Sequence, residues 1–216
     1  MAGRASAKKP KKFTYADFLT WPEGDTREII DGVVYDMTPS PSHEHQEILA
    51  DFVAQFRTFL RGKKCRVIPD IDVVIPHERE SDDKAETVVR PDLLVLCDHT
   101  KLDDKRVRGA PDLVLEIVSP SSGSYDAIKK RRLYERAGVK EFWLVQPANK
   151  LVMVFILEAD RTFGSVEIYD DTSKIPVHVL PGLEIDMTTV FPAPVPESTR
   201  EEAAPYRATK KKGARR

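Results

Sequence analysis

Residues 113–118 read Leu-Val-Leu-Glu-Ile-Val, an apolar run of strand length broken near its centre by Glu116. Burying an unpaired carboxylate is costly, so a fold that takes this strand into its interior has to bring Glu116 a cation, a hydrogen-bonding partner or water. Alternation along a strand sets Glu116 on the face of Asp112 and Val118, opposite Leu115 and Ile117. A second run, Leu-Leu-Val-Leu at 93–96, is entered from Asp92 just as Asp112 enters its own apolar run. If these strands pair side by side, the carboxylates of Asp92 and Glu116 converge. Oxygen ligands of this kind suit Mg²⁺ (or Mn²⁺), which takes one or two carboxylates together with water and phosphate. An ion pair with an arginine or lysine would satisfy Glu116 equally well.

A cation is close at hand. The segment after Glu116 predicts a helix from about Tyr125 to Ala137, stopped by Gly138, and it carries Lys129, Lys130, Arg131 and Arg132. Most of such a run forms a solvated face, and one member turned inward is enough to reach the acids.

The rest of the chain supplies a frame for these elements. Thr14 and Asp17 predict a capped short helix ending near Trp21-Pro22. Arg27–Met37 predicts a hairpin turning at Asp31-Gly32. Ser42 predicts the cap of a long helix running to about Arg61, with Ile48, Phe52, Phe56 and Leu60 on its apolar face and Gly62 as its stop. Strands are expected at 65–76, 88–96, 111–118, 141–147 and 150–157, with weaker signals near 165–169 and 175–180. This order favours an α/β (α+β) fold with a mixed sheet flanked by helices.

At 216 residues, with 41% hydrophobic and 32% charged residues, the chain has material for one buried domain, expected at 13–192. No apolar run approaches the roughly 18–20 residues that span a bilayer, and the basic start lacks the apolar stretch of a secretory signal. A cytoplasmic protein follows as the expectation. The two cysteines, Cys65 and Cys97, have no metal-ligand spacing and read as buried free thiols. The formal net charge of −1 conceals an asymmetry, because 1–12 and 207–216 together hold 11 basic residues and no acid. Residues 13–206 are left with 23 basic and 35 acidic residues. Such a body is unlike a module that binds DNA through a fixed basic face. The terminal segments, 1–12 and 193–216, read as disordered tails that solubilise the chain or touch phosphates.

The stretch Arg108–Ser122 (RGAPDLVLEIVSPSS), followed by Asp126, Lys130 and Tyr134 and then by YERAGVKEFWLVQP, resembles the Uma-two-type putative restriction endonucleases, a branch of the PD-(D/E)xK nuclease superfamily. REIIDGVV, SPSHEHQ and VVRPDLLVL match the same family in the same order. The resemblance implies a restriction-endonuclease-like core and a metal-dependent DNA endonuclease, or a DNA-binding or accessory protein that keeps the fold without turnover. It makes Asp92 the PD aspartate, Glu116 the second acid and Glu28 a further acid, with Asp92 and Glu116 as the metal ligands. The superfamily lysine would fall two residues after Glu116, where Val118 stands, and Lys130 from the following helix takes its place. His45 and Gln46 match a polar pair at the start of the long helix, with capping or a surface role equally open for His45. The resemblance implies DNA as partner, and cleavage of both strands implies a homodimer.

Overall fold

The structure, a computed structural model, describes residues 11–36, 42–77, 80–118 and 123–193, with side chains from Ile128 onward in the last stretch. The expected tails, and the Asp126 side chain, lie largely outside the described residues.

Helix α1 (Tyr15–Phe18) is the short capped helix expected, the Asp17 carboxylate accepting from the Thr14 backbone N–H at 3.0 Å. The hairpin of β1 (Glu28–Ile30) and β2 (Val33–Tyr35) turns on Asp31 and Gly32, at φ 53° and 80°. Two positive φ angles in succession give the turn whose twist matches a two-stranded hairpin, and glycine adopts one of them without strain. Helix α2 (His43–Leu60) begins at Ser42, whose hydroxyl accepts from the His45 N–H. It buries Ile48, Phe52, Phe56 and Leu60, spaced at four residues, as one stripe.

Each of the two runs expected as single strands divides. Residues 65–76 become β3 (Arg66–Pro69) and β4 (Asp72–Val74), separated by Asp70 in the left-handed region at φ 49°. Residues 88–96 become β5 (Val88–Val89) and β6 (Leu93–Leu96), separated at Arg90-Pro91. Proline has no N–H to give to a ladder, so the chain is free to leave one sheet there and enter another. The strands β7 (Arg106–Arg108), β8 (Leu113–Ile117), β9 (Glu141–Gln146), β10 (Leu151–Ile156), β11 (Glu167–Tyr169), β12 (Lys174–Pro176) and β13 (Glu184–Asp186) complete the set, with helix α3 (Gly123–Ala137) between β8 and β9. β7 and β13 have no counterpart in the sequence reading.

The central sheet has six strands in the order β11-β10-β9-β8-β6-β3. It is mixed, because β8 and β9 run parallel across α3 while β6 pairs antiparallel with β8. Helix α2 covers one face, Phe52 and Phe56 packing against Trp143 together with Leu113, Leu115 and Ile117. Helix α3 covers the other, Leu133 and Tyr134 packing with Val114, Phe142 and Leu144. Both faces being covered explains why these strands are apolar on both sides apart from Glu116 and Glu141, each large apolar side chain contributing about 1.5–3 kcal/mol on burial. A five-stranded sheet, β2-β1-β5-β4-β7, stands beside the central one. Two strands, β12 and β13, pair separately. No helix among the described residues is long and apolar enough to cross a membrane.

Cys65 and Cys97 form a disulfide rather than the two free thiols expected. The reason lies in register. Arg66 pairs with Leu96 across β3 and β6, so the next positions outward, Cys65 and Cys97, face each other with Cα atoms 4.0 Å apart. Cysteine spacing along the chain carries no sign of such a cross-strand pairing.

Candidate active site

The two sheets meet through Arg90-Pro91-Asp92, and the buried acids Glu28 and Glu116 collect at that junction. Asp92 stands immediately before β6, and the antiparallel register Leu93↔Leu115 sets it beside Glu116. Its Oδ2 accepts from the Ile117 backbone N–H at 2.7 Å. Its Oδ1 lies 3.0 Å from Nε2 of His45, carried on the first turn of α2. The expected pairing of the two acid-bearing strands is therefore present.

Glu116 lies on the α3 face of β8 and is only 8% exposed. Lys130 Nζ donates to both of its oxygens at 3.1 Å, and the Tyr134 hydroxyl donates to Oε1 at 2.7 Å. Lys130 and Tyr134 are one helical turn apart, so both descend from α3 onto the same carboxylate. The C-terminal end of that helix is fixed by Gly138, at φ 86°, and by the Val139 N–H, which reaches the Tyr134 carbonyl at 3.0 Å.

Glu28 comes from the other sheet. Pairing of β1 with β5 at Ile29↔Val88 brings it under Arg90, whose backbone N–H donates to Oε1 at 2.8 Å. Lys130 Nζ donates to the same oxygen at 3.1 Å. The second oxygen, Oε2, is buried without a hydrogen-bond partner. The Arg90 guanidinium is held by Asp72, Nε donating to Oδ1 at 2.8 Å.

The electrostatics follow from this crowding. Burial pushes the Glu116 carboxyl up to about 7; Lys130 opposes the rise, and the charges of Asp92 and Glu28 reinforce it. Burial works against the Lys130 ammonium, but Glu116, Glu28 and Asp92 together hold its pKa above that of an ordinary lysine. For His45, burial also opposes the charge, yet the bond to Asp92 and the Asp92 and Glu116 charges leave its pKa raised. Burial and the same acids keep the Tyr134 hydroxyl protonated far above its usual range.

Glu28, Glu116 and Lys130 thus meet directly, and Asp92 joins them through the backbone of Ile117. His45, left open by the sequence, belongs to the cluster, whereas Gln46, the next residue, is exposed. Tyr134 and Arg90 were not expected as site residues. The Lys-x-x-x-Tyr spacing could have shown the first, since it repeats one helical turn, while nothing local marks Arg90. No three His, Cys, Asp or Glu side chains among the described residues close into a ready metal cage. A third buried acid, Glu141, serves the fold instead, accepting from Trp143 Nε1 and the Val179 N–H at 2.8 Å each.

The Uma2 family, described as putative restriction endonuclease, matches residues 15–188. The crystal structure of a putative nuclease belonging to DUF820 from Anabaena variabilis ATCC 29413 shares the fold at a TM-score of 0.67 and 20% identity, over 83% of this chain and 97% of that one. No curated protein matches the chain.

Proposed function

Because the chain belongs to the Uma2 family of putative restriction endonucleases, we propose that it is a metal-dependent endonuclease hydrolysing phosphodiester bonds in DNA. The observation that carries this reading is the buried meeting of Glu116, Glu28 and Lys130 beside Asp92. A fold needing only stability has little reason to draw acids from two sheets onto one lysine.

The residues fit a hard divalent cation. The donors are carboxylate oxygens, and one of them, Glu28 Oε2, is buried with no partner. Among the described residues, Glu116 and Glu28 share a single lysine, Lys130, with Asp92 beside them. Asp92 and Glu116, with the Ile117 carbonyl, would hold Mg²⁺ or Mn²⁺, and Glu28 would contribute directly or through water. Bound there, such an ion would supply a lowered pKa for its water and neutralisation of charge on the scissile phosphate.

The chain's own groups do the rest. The Ile117 N–H and His45 fix the Asp92 carboxylate in one orientation. Tyr134 fixes that of Glu116. Lys130 keeps its proton at any physiological pH and can orient the attacking water or stabilise charge building on the phosphoryl oxygens. The products would be a 5′-phosphate and a 3′-hydroxyl, and a homodimer would offer one such site to each strand.

Nicking of supercoiled plasmid with Mg²⁺ or Mn²⁺, with EDTA as the blank, tests the proposal. Glu116→Ala and Asp92→Ala should each abolish nicking, and Lys130→Ala should slow it strongly. Acid variants that cut as well as the parent would remove the assigned site. A parent that cuts no duplex, single-stranded or modified DNA would leave the alternative, a DNA-binding or accessory protein without turnover.

A further inference from the structure

The segment 57–66 (RTFLRGKKCR) holds five cations, Arg57, Arg61, Lys63, Lys64 and Arg66, and no acid, within an otherwise acidic body. It forms the end of α2 and the start of β3, the edge strand of the central sheet. There Arg57, Arg61, Lys63 and Arg66 line a cavity of about 670 Å³ together with Ile68 and Leu102.

Elsewhere among the described residues most arginines are spent on acids, as with Arg90 on Asp72, Arg106 and Arg108 on Asp82, and Arg136 on Asp31. Around this cavity no ion pair joins Arg57, Arg61, Lys63 or Arg66 to an acid among the described residues. Asp103 and Asp104 also line the groove, but the Asp103 carboxylate is taken by Arg106 and two backbone N–H groups. The dipole of α2 accounts for a preference for Arg57 and Arg61 at its C-terminal end. It does not account for Lys63, Lys64 and Arg66, which lie beyond the helix.

Resting on the nuclease reading above, we propose that this groove binds the phosphate backbone of duplex DNA at a distance from the scissile bond. The site and the groove are joined through the fold by one buried strand. Strand β6 starts beside Asp92 and ends at Leu96, next to Cys97, which is bonded to Cys65 in the groove wall. The five residue steps from Asp92 to Cys97 span roughly 16 Å, or about five base pairs at ~3.4 Å each. Exposed guanidinium groups bind phosphate oxygens in pairs and read no base, so the groove adds affinity and register without sequence preference.

The test is binding of the full chain to a labelled duplex in EDTA, followed through a salt titration, for the parent and for Arg57→Gln/Arg61→Gln/Arg66→Gln. All three side chains are exposed, so the fold should persist. The variant should bind more weakly at low salt, and its log–log salt slope should be shallower by roughly one for each phosphate that is no longer neutralised. A variant with the parent's slope and affinity overturns the groove alone and leaves the nuclease reading standing. A parent that binds no duplex overturns the groove, and the nicking assay then decides the nuclease reading separately. Polyglutamate that displaces the duplex, and loses as much affinity as DNA does in the variant, overturns the proposal in favour of an acidic protein partner.

Discussion

Replacing Glu116 by glutamine should change how stability depends on pH. An ordinary glutamate ionises near 4.5 and Glu116 near 7. Each tenfold in proton affinity is worth about 1.4 kcal/mol, so ionising Glu116 in the folded protein costs about 3 kcal/mol more than in the unfolded chain. The folded pKa is the raised one. The contribution of the protonated group is therefore complete below pH 4.5 and is lost as pH climbs to 7, because the unfolded chain releases its proton first. Lys130 stays charged throughout this window and adds a constant offset. Glutamine has nearly the same shape, keeps an oxygen for Tyr134 and Lys130, and does not titrate. The stability of Glu116→Gln minus that of the parent should therefore rise by about 3 kcal/mol between pH 4.5 and 8. Urea unfolding in EDTA at a series of pH values, with a constant slope against denaturant, measures this difference. A difference that stays flat, or that falls with pH, would mean Lys130 outweighs burial and would refute the reasoning.

Three further outcomes are expected. Lys130→Met leaves Glu28 and Glu116 buried without their cation and should cost about 3–5 kcal/mol at pH 8, with a smaller loss near pH 5, both read by urea unfolding. Tyr134→Phe removes one donor to a buried carboxylate and should cost about 1–3 kcal/mol; titration of Glu116 by carboxyl-labelled NMR should also show its pKa moving up. Replacing Cys65 and Cys97 by alanine opens a bridge between residues 32 apart in sequence and should lower stability by roughly 2–4 kcal/mol, and the parent in reductant should show a similar loss by thermal unfolding.

Much of the frame was legible because it is written in short-range patterns. The Asp31-Gly32 turn, the Ser42 cap with its four-residue apolar spacing, and Gly138 after Ala137 are local rules, and each element stands where those rules set it. The exchange of chain between two sheets was less so. Residues 65–76 and 88–96 carry strand character from end to end, and only Asp70 and Pro91 show where each one leaves its sheet. Pairing across strands was hidden altogether, which is why Cys65 and Cys97 read as separate thiols. His45 and Tyr134 fall between these cases: their helices were visible, but which turn faces the acids depends on how α2 and α3 dock against opposite faces of the sheet.

The position of Lys130 shows what the acids require of the fold. With Val118 two residues beyond Glu116, the strand offers no lysine of its own, and on spacing alone the acid looks abandoned. Yet β8 leads into α3, and α3 must return over the same face of the sheet for β9 to lie parallel to β8. That return carries Lys130 back above Glu116, where its ammonium reaches both carboxylate oxygens and Glu28 as well. A lysine on the strand would leave that face to be closed by apolar residues. A lysine on the helix arrives with Tyr134 one turn away, so orientation of the acid and supply of the cation come from a single packed element. Helix α3 is thus tied to the charge state of Glu116. A proton on that carboxyl weakens the hold on Lys130, and loss of the Tyr134 hydroxyl weakens both.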